Sequence, residues 1–92
     1  MSGVTLAARP AIGRGYRLQW EAAQDAHVLL YPEGMVKLNG TAAAILTRCD
    51  GARTIEEIVA DLERSYDATG LSNDVAAFVT LAMERGWLEV RE

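Results

Sequence analysis

The stretch from Tyr31 to Gly51, YPEGMVKLNGTAAAILTRCDG, constrains the chain more than any other, because strand character gives way to helix within it. Tyr31, Pro32, Glu33 and Gly34 suit a tight turn: proline pre-sets the backbone angle at the second position, and glycine is favoured at the fourth. Val36 and Leu38 then point to one face and Met35 and Lys37 to the other, the two-residue period of a strand. From Asn39 onward the alanines and leucine of TAAAILTRC favour helix. Asn39 is therefore read as a helix cap rather than as part of an Asn-Gly hairpin turn. Asp50 and Gly51 end this helix after about Cys49, glycine supplying the left-handed residue common just past a helix end.

Strands precede this stretch and helices follow it. Tyr16 to Glu21 alternates strictly, with Tyr16, Leu18 and Trp20 on one face and Arg17, Gln19 and Glu21 on the other, as in a half-buried strand. His27 to Tyr31 is apolar on both faces, which suits a central strand. Downstream, Thr54 with Glu57 makes a capping box, and Ile55, Ile58, Val59, Leu62 and Tyr66 share one helical face. Ser72 is read as the cap of a third helix whose inward stripe is Val75, Phe78, Val79 and Ala82. Gly86 ends it, and Trp87, Leu88 and Val90 fold back as an apolar tail. Residues 1–15 hold Pro10 and several glycines without any period, so they are expected to form a flexible N-terminal arm ahead of a domain over 16–92. The expected fold is α+β and winged-helix-like, a small three-stranded antiparallel sheet followed by three helices.

Ninety-two residues suffice for one core without disulfides or metal. Thirteen Asp plus Glu stand against nine Lys plus Arg, and that acidic balance repels a polyphosphate backbone. The third helix presents Asn73, Asp74, Thr80, Glu84 and one Arg85, a poor recognition surface for DNA. Nucleic acid is thus not expected as a partner. No apolar run reaches the roughly 20 residues of a membrane span, and the beginning MSGVTLAARP lacks the pattern of a secretory signal. A cytoplasmic protein without a membrane partner is expected.

Catalytic groups are sparse. His27 is the only histidine and Cys49 the only cysteine; both read as structural, and neither a metal site nor a cofactor is indicated. Glu56, Glu57, Asp61 and Glu63 lie opposite the apolar stripe of their helix, a solvated face rather than a buried acid. No enzyme activity is expected. What remains is an open strand beside an apolar groove. An edge strand over Met35, Val36, Lys37 and Leu38 can accept an extended peptide, with Val75, Phe78, Val79 and Ala82 as the groove floor. The same edge can also pair with a second copy, so both a monomer and a homodimer formed by edge pairing or strand swapping are compatible with the sequence.

The segments RGYRLQWE, HVLLYPEGMVKLNGTAAAIL, CDGARTIEEIVADL and DVAAFVTLAMERGWL, together spanning Arg14 to Leu88, resemble the PqqD family of pyrroloquinoline quinone (PQQ) biosynthesis. One departure is Gly40, where members commonly carry proline. The resemblance implies a non-catalytic peptide chaperone, a recognition element for ribosomally made, modified peptides. It implies binding of the precursor peptide PqqA and its presentation to the radical S-adenosylmethionine (SAM) enzyme PqqE. It also implies that the peptide adds to the strand of Met35 to Leu38 against Val75, Phe78, Val79 and Ala82. Two other readings remain open at this point. One is a carrier holding PQQ or an intermediate in an apolar pocket, with Arg17 or Arg48 meeting its carboxylates; the other is a winged-helix DNA-binding module.

Overall fold

In the computed structural model, which describes residues 5–91, the chain makes eight elements. They are β1 (Arg9–Ile12), β2 (Arg17–Glu21), β3 (Ala26–Tyr31), β4 (Gly34–Lys37), α1 (Gly40–Leu46), α2 (Ile55–Ser65), α3 (Ser72–Glu84) and β5 (Leu88–Arg91). The alternating segments form an antiparallel sheet in the order β2-β3-β4, with β3 central as its two apolar faces require. Val28 and Leu29 on β3 are both fully buried. The fold is α+β with three helices, as the order of elements implied.

Leu29, on the inner face of β3, lies opposite Leu18 and Val36. It packs into one core with Ile45 and Leu46 of α1, Ile55, Ile58 and Leu62 of α2, and Val75, Val79 and Ala82 of α3. Each helix is placed by its local chemistry. The Asn39 carboxamide oxygen accepts the Ala42 N–H at 2.7 Å, capping α1. Thr54 and Glu57 exchange both bonds of the capping box, at 3.1 and 2.8 Å, at the start of α2.

The structure corrects the sequence reading of the arm, the tail, two helix ends and Trp20. Residues 9–12 are not a loose arm: β1 pairs antiparallel with β5 in a second, two-stranded sheet, from Arg9 opposite Arg91 to Ile12 opposite Leu88. The expectation for residues 1–4 lies outside the described residues. The tail is accordingly strand β5, and its Leu88 is buried in the core. Helix α1 stops at Leu46, three residues before Cys49, because Arg48 and Cys49 donate to carbonyls three residues back, a tighter winding than α. Leu71 rather than Ser72 precedes α3; no side chain caps it there, and Glu63 accepts the Leu71 N–H at 3.0 Å instead. Trp20, although on the same face of β2 as Leu18, is 53% exposed rather than buried; it lies opposite His27, with its ring edge-on to the imidazole at 5.2 Å.

Candidate functional site

Strand β4 is an edge of the three-stranded sheet, and its register settles which backbone groups are open. Leu38 donates to the His27 carbonyl directly opposite at 3.0 Å. In an antiparallel ladder hydrogen-bonded and non-bonded pairs alternate, so Val36 and Gly34 also face β3. The N–H and C=O groups of Met35 and Lys37 therefore point away from the sheet. The Tyr31–Gly34 turn sets this register: Pro32 and Glu33 both keep negative φ, and Tyr31 lies opposite Gly34. At the other end Asn39 turns the chain into α1, which limits the open edge to one short strand.

Side chains on β4 divide by the same period of two. Met35 is 45% exposed and Lys37 is exposed on the outer face of the sheet. Val36 is half-buried against the core, and Leu38 is buried within it. Along the outer face the rungs read Arg17, Leu30, Met35 and then Gln19, Val28, Lys37.

Beyond Leu38 the chain runs into an apolar groove of about 480 Å³ between α1, the end of α2 and α3. Gly40, Thr41, Ala44 and Ile45 line one side, Leu62, Tyr66, Ala68 and Leu71 the end, and Asp74, Val75 and Phe78 the other side. Asp74 is the one charged residue in this lining. Of the four α3 residues expected to form the floor, Val75 and Phe78 line the groove, while Val79 and Ala82 are fully buried and hold α3 in place from beneath. The sequence reading missed Gly40, Thr41, Ala44, Tyr66 and Leu71. The spacing from Ile55 puts Tyr66 on the inward stripe of α2, yet it is 59% exposed because it follows the last helical turn. The run of small residues at the start of α1 is the available signal: Gly40 lines the groove, and a Cβ on it would meet nothing within 4 Å.

A shallower cleft adjoins this groove, lined by His27, Ala43, Thr47 and Arg48 and sharing Gly40, Ala44 and Tyr66 with it. Arg48 is committed elsewhere: it bonds the Asp61 carboxylate and the Ala44 carbonyl. Arg64 also reaches Asp61 at 3.0 Å, and the Asp61 pKa is lowered, first by the Arg48 hydrogen bond. The Asp50 carboxyl is held low too, because it accepts the N–H groups of Ala52 and Arg53. Cys49 is buried, and burial pushes its thiol up to about 12. Neither Cys49 nor Asp61 lines the groove, and no group of three His, Cys, Asp or Glu among the described residues could hold a metal ion. No helix among the described residues is long and apolar enough to cross a membrane. The arrangement offers backbone pairing, apolar contact and a few charges.

Three comparisons bear on this geometry. The model of a family described as "Coenzyme PQQ synthesis protein D (PqqD)" matches residues 26–88. A "PqqA binding protein" of Stutzerimonas stutzeri is 54% identical over 92 residues, covering 99% of this chain and 100% of that protein. A protein of the same description from Azotobacter vinelandii is 55% identical over 91 residues, 98% of this chain and 99% of its own. Among solved structures, the solution NMR structure of the PqqD truncation of Methylobacterium extorquens PqqCD is similar with a TM-score of 0.64 and 34% identity over 87% of each chain. That protein is described as a functional, stand-alone recognition element for ribosomally synthesised and post-translationally modified peptides.

Proposed function

The chain belongs to the PqqD family, and on that premise we propose that it binds a PqqA-type precursor peptide as an added strand on β4 and presents it to the radical SAM enzyme PqqE. The supporting observation is the open backbone of Met35 and Lys37 at the sheet edge, one residue on either side of half-buried Val36. An extended peptide pairing there satisfies its own N–H and C=O groups, which supplies affinity without a sequence requirement. Its alternate side chains fall toward Val36 and onward to the groove of Val75 and Phe78, which supplies selectivity. Relatives bearing the description "PqqA binding protein" give the peptide its identity. The role toward the enzyme is one of concentration: a held peptide meets its catalyst at a raised local concentration, with no chemistry required of the holder.

Titration of the labelled protein with PqqA tests the reading. Amide resonances of residues 35–38 and of Phe78 are expected to shift together, and shifts confined to residues 5–15 would place the peptide elsewhere. Adding PqqE to the loaded protein is expected to retain the peptide on β4; release of the peptide on enzyme binding would overturn the presentation step. The carrier reading has no comparable support, since neither Arg17 nor Arg48 lines the apolar groove.

A further inference from the structure

We propose that Lys37 reads an acidic residue of the bound peptide across the outer edge of β4, an inference that rests on the edge-strand reading above. The argument begins with backbone direction. Met35 and Lys37 carry the outward N–H and C=O groups, so they are the rungs at which a bound strand pairs directly. A residue opposite Lys37 shares its side of the sheet, and directly opposite side chains lie close enough for a charge pair. Its immediate neighbours in the peptide fall on the inner face, beside Val36 and Leu38.

Charge decides what that residue is. Arg48, Arg53 and Arg64 of the helical half all reach Asp61 or Asp50. Lys37 has no carboxylate within ion-pair distance among the described residues, although the chain is acidic overall. Its rung continues to Val28 and Gln19, neither of them charged. The one carboxylate on β2, Glu21, lies opposite Ala26, one rung further along on the far strand. An aspartate or glutamate opposite Lys37 therefore meets a free cation on one side and solvent on the other. The rung before it offers exposed Met35, which suits an apolar side chain.

Taken along β4, the edge selects an apolar residue opposite Met35, an inward apolar residue opposite Val36 and an acid opposite Lys37. A second inward apolar residue follows opposite Leu38, two residues before Gly40 in the groove lining. A lysine kept only to discourage edge-to-edge pairing makes no such demand on the peptide, and a charge swap separates the two roles.

The experiment uses the full chain and PqqA variants in which each acidic residue is replaced in turn by lysine. One replacement is expected to weaken binding to the native protein by about two- to fivefold, as opposite-charge cross-strand pairs do. Lys37→Glu is expected to weaken the unaltered peptide by a similar factor and to restore the affinity of that one variant. If no acid-to-lysine change is rescued by Lys37→Glu, the inference is overturned. Amide shifts at residues 35–38, followed in the same titrations, keep the two readings apart: shifts without rescue leave the edge site standing and remove only the charge rule, whereas their absence removes both. Molecular mass measured alongside detects self-pairing of the Lys37→Glu edge, and loss of affinity explained wholly by such dimers would also overturn it.

Discussion

At the scale of single residues, the structure depends on positions with no chemistry of their own. Gly13 donates to the Trp87 carbonyl at 2.7 Å, and a Cβ built on it would collide with the Gly86 carbonyl. Its φ is not in the left-handed region, so the requirement for glycine is steric. Gly15, by contrast, has φ of +90° with nothing within 4 Å of a Cβ, so its cost is conformational alone. Gly13→Ala is expected to destabilise the fold by about 1–3 kcal/mol, the range for overpacking a close contact, and Gly15→Ala by about 1 kcal/mol. Thermal melts of the two variants give the comparison; a loss for Gly13→Ala smaller than that for Gly15→Ala would mean that the backbones at Gly13 and Gly86 part easily. Cys49 supplies a second test. Its thiol donates to the Ile45 carbonyl at 3.2 Å, and burial, helped by the Asp50 carboxylate, raises its pKa from 9.0 to about 12. Because the folded value is the higher, the thiol's contribution to stability is complete below about 9 and is lost as pH rises toward about 12. Native protein is expected to resist thiol alkylation at pH 8 while urea-unfolded protein reacts. Equal rates would show that the site opens readily.

At the scale of elements, β4 carries a prediction that depends on its hydrogen-bond direction. Val36 faces β3, opposite Leu29, whereas Met35 faces outward. Val36→Pro removes a ladder donor and is expected to cost about 1–3 kcal/mol of stability through the unsatisfied partner. Met35→Pro removes only an outward donor, so it is expected to retain the fold and weaken peptide binding by about three- to tenfold, the value of one net hydrogen bond. Chemical denaturation and peptide titration of both variants measure this. The reverse pattern would mean that β4 pairs in the other register. Much of this element was legible from local signals. The turn at Pro32, the alternation of Val36 with Lys37 and the cap at Asn39 each follow from a few neighbouring residues. Which of Val36 and Met35 has the open N–H was not legible, because it depends on how β4 is paired with β3. The groove was half legible for a related reason: a stripe such as Val75, Phe78, Val79 and Ala82 shows which face of α3 turns inward, but its distance from α1 decides that Phe78 lines a groove while Val79 is sealed.

At the scale of the whole molecule, the two ends of the chain are brought together, and no local pattern announced it. The segment RPAI has no alternation to mark it as a strand, and its partner lies at the opposite end of the sequence, from Leu88 to Arg91. Pairing at such separation is specified by burial rather than by period: Pro10, Ala8 and Leu88 are all buried. The N-terminal segment also completes α2. The first N–H groups of a helix have no partner within it, and here Ile55 donates to the Ala8 carbonyl at 2.9 Å and Glu56 to the Leu6 carbonyl at 3.0 Å. Gly51 in turn donates to the Pro10 carbonyl at 2.9 Å. Removing the chain through Ile12 therefore exposes one edge of β5, leaves the Ile55 and Glu56 N–H groups of α2 without their acceptors although the Thr54–Glu57 box remains, and opens the core at Ala8. The expected result is a loss of several kcal/mol, since each orphaned donor that stays buried costs about 1–3 kcal/mol, and a domain of this size has only about 5–10 kcal/mol of stability in all. A thermal melt of the shortened chain beside the full one checks this. If the shortened chain melts at the same temperature, residues 5–12 are an attachment to the domain after all, and the peptide edge at β4 stands independently of the β1–β5 sheet.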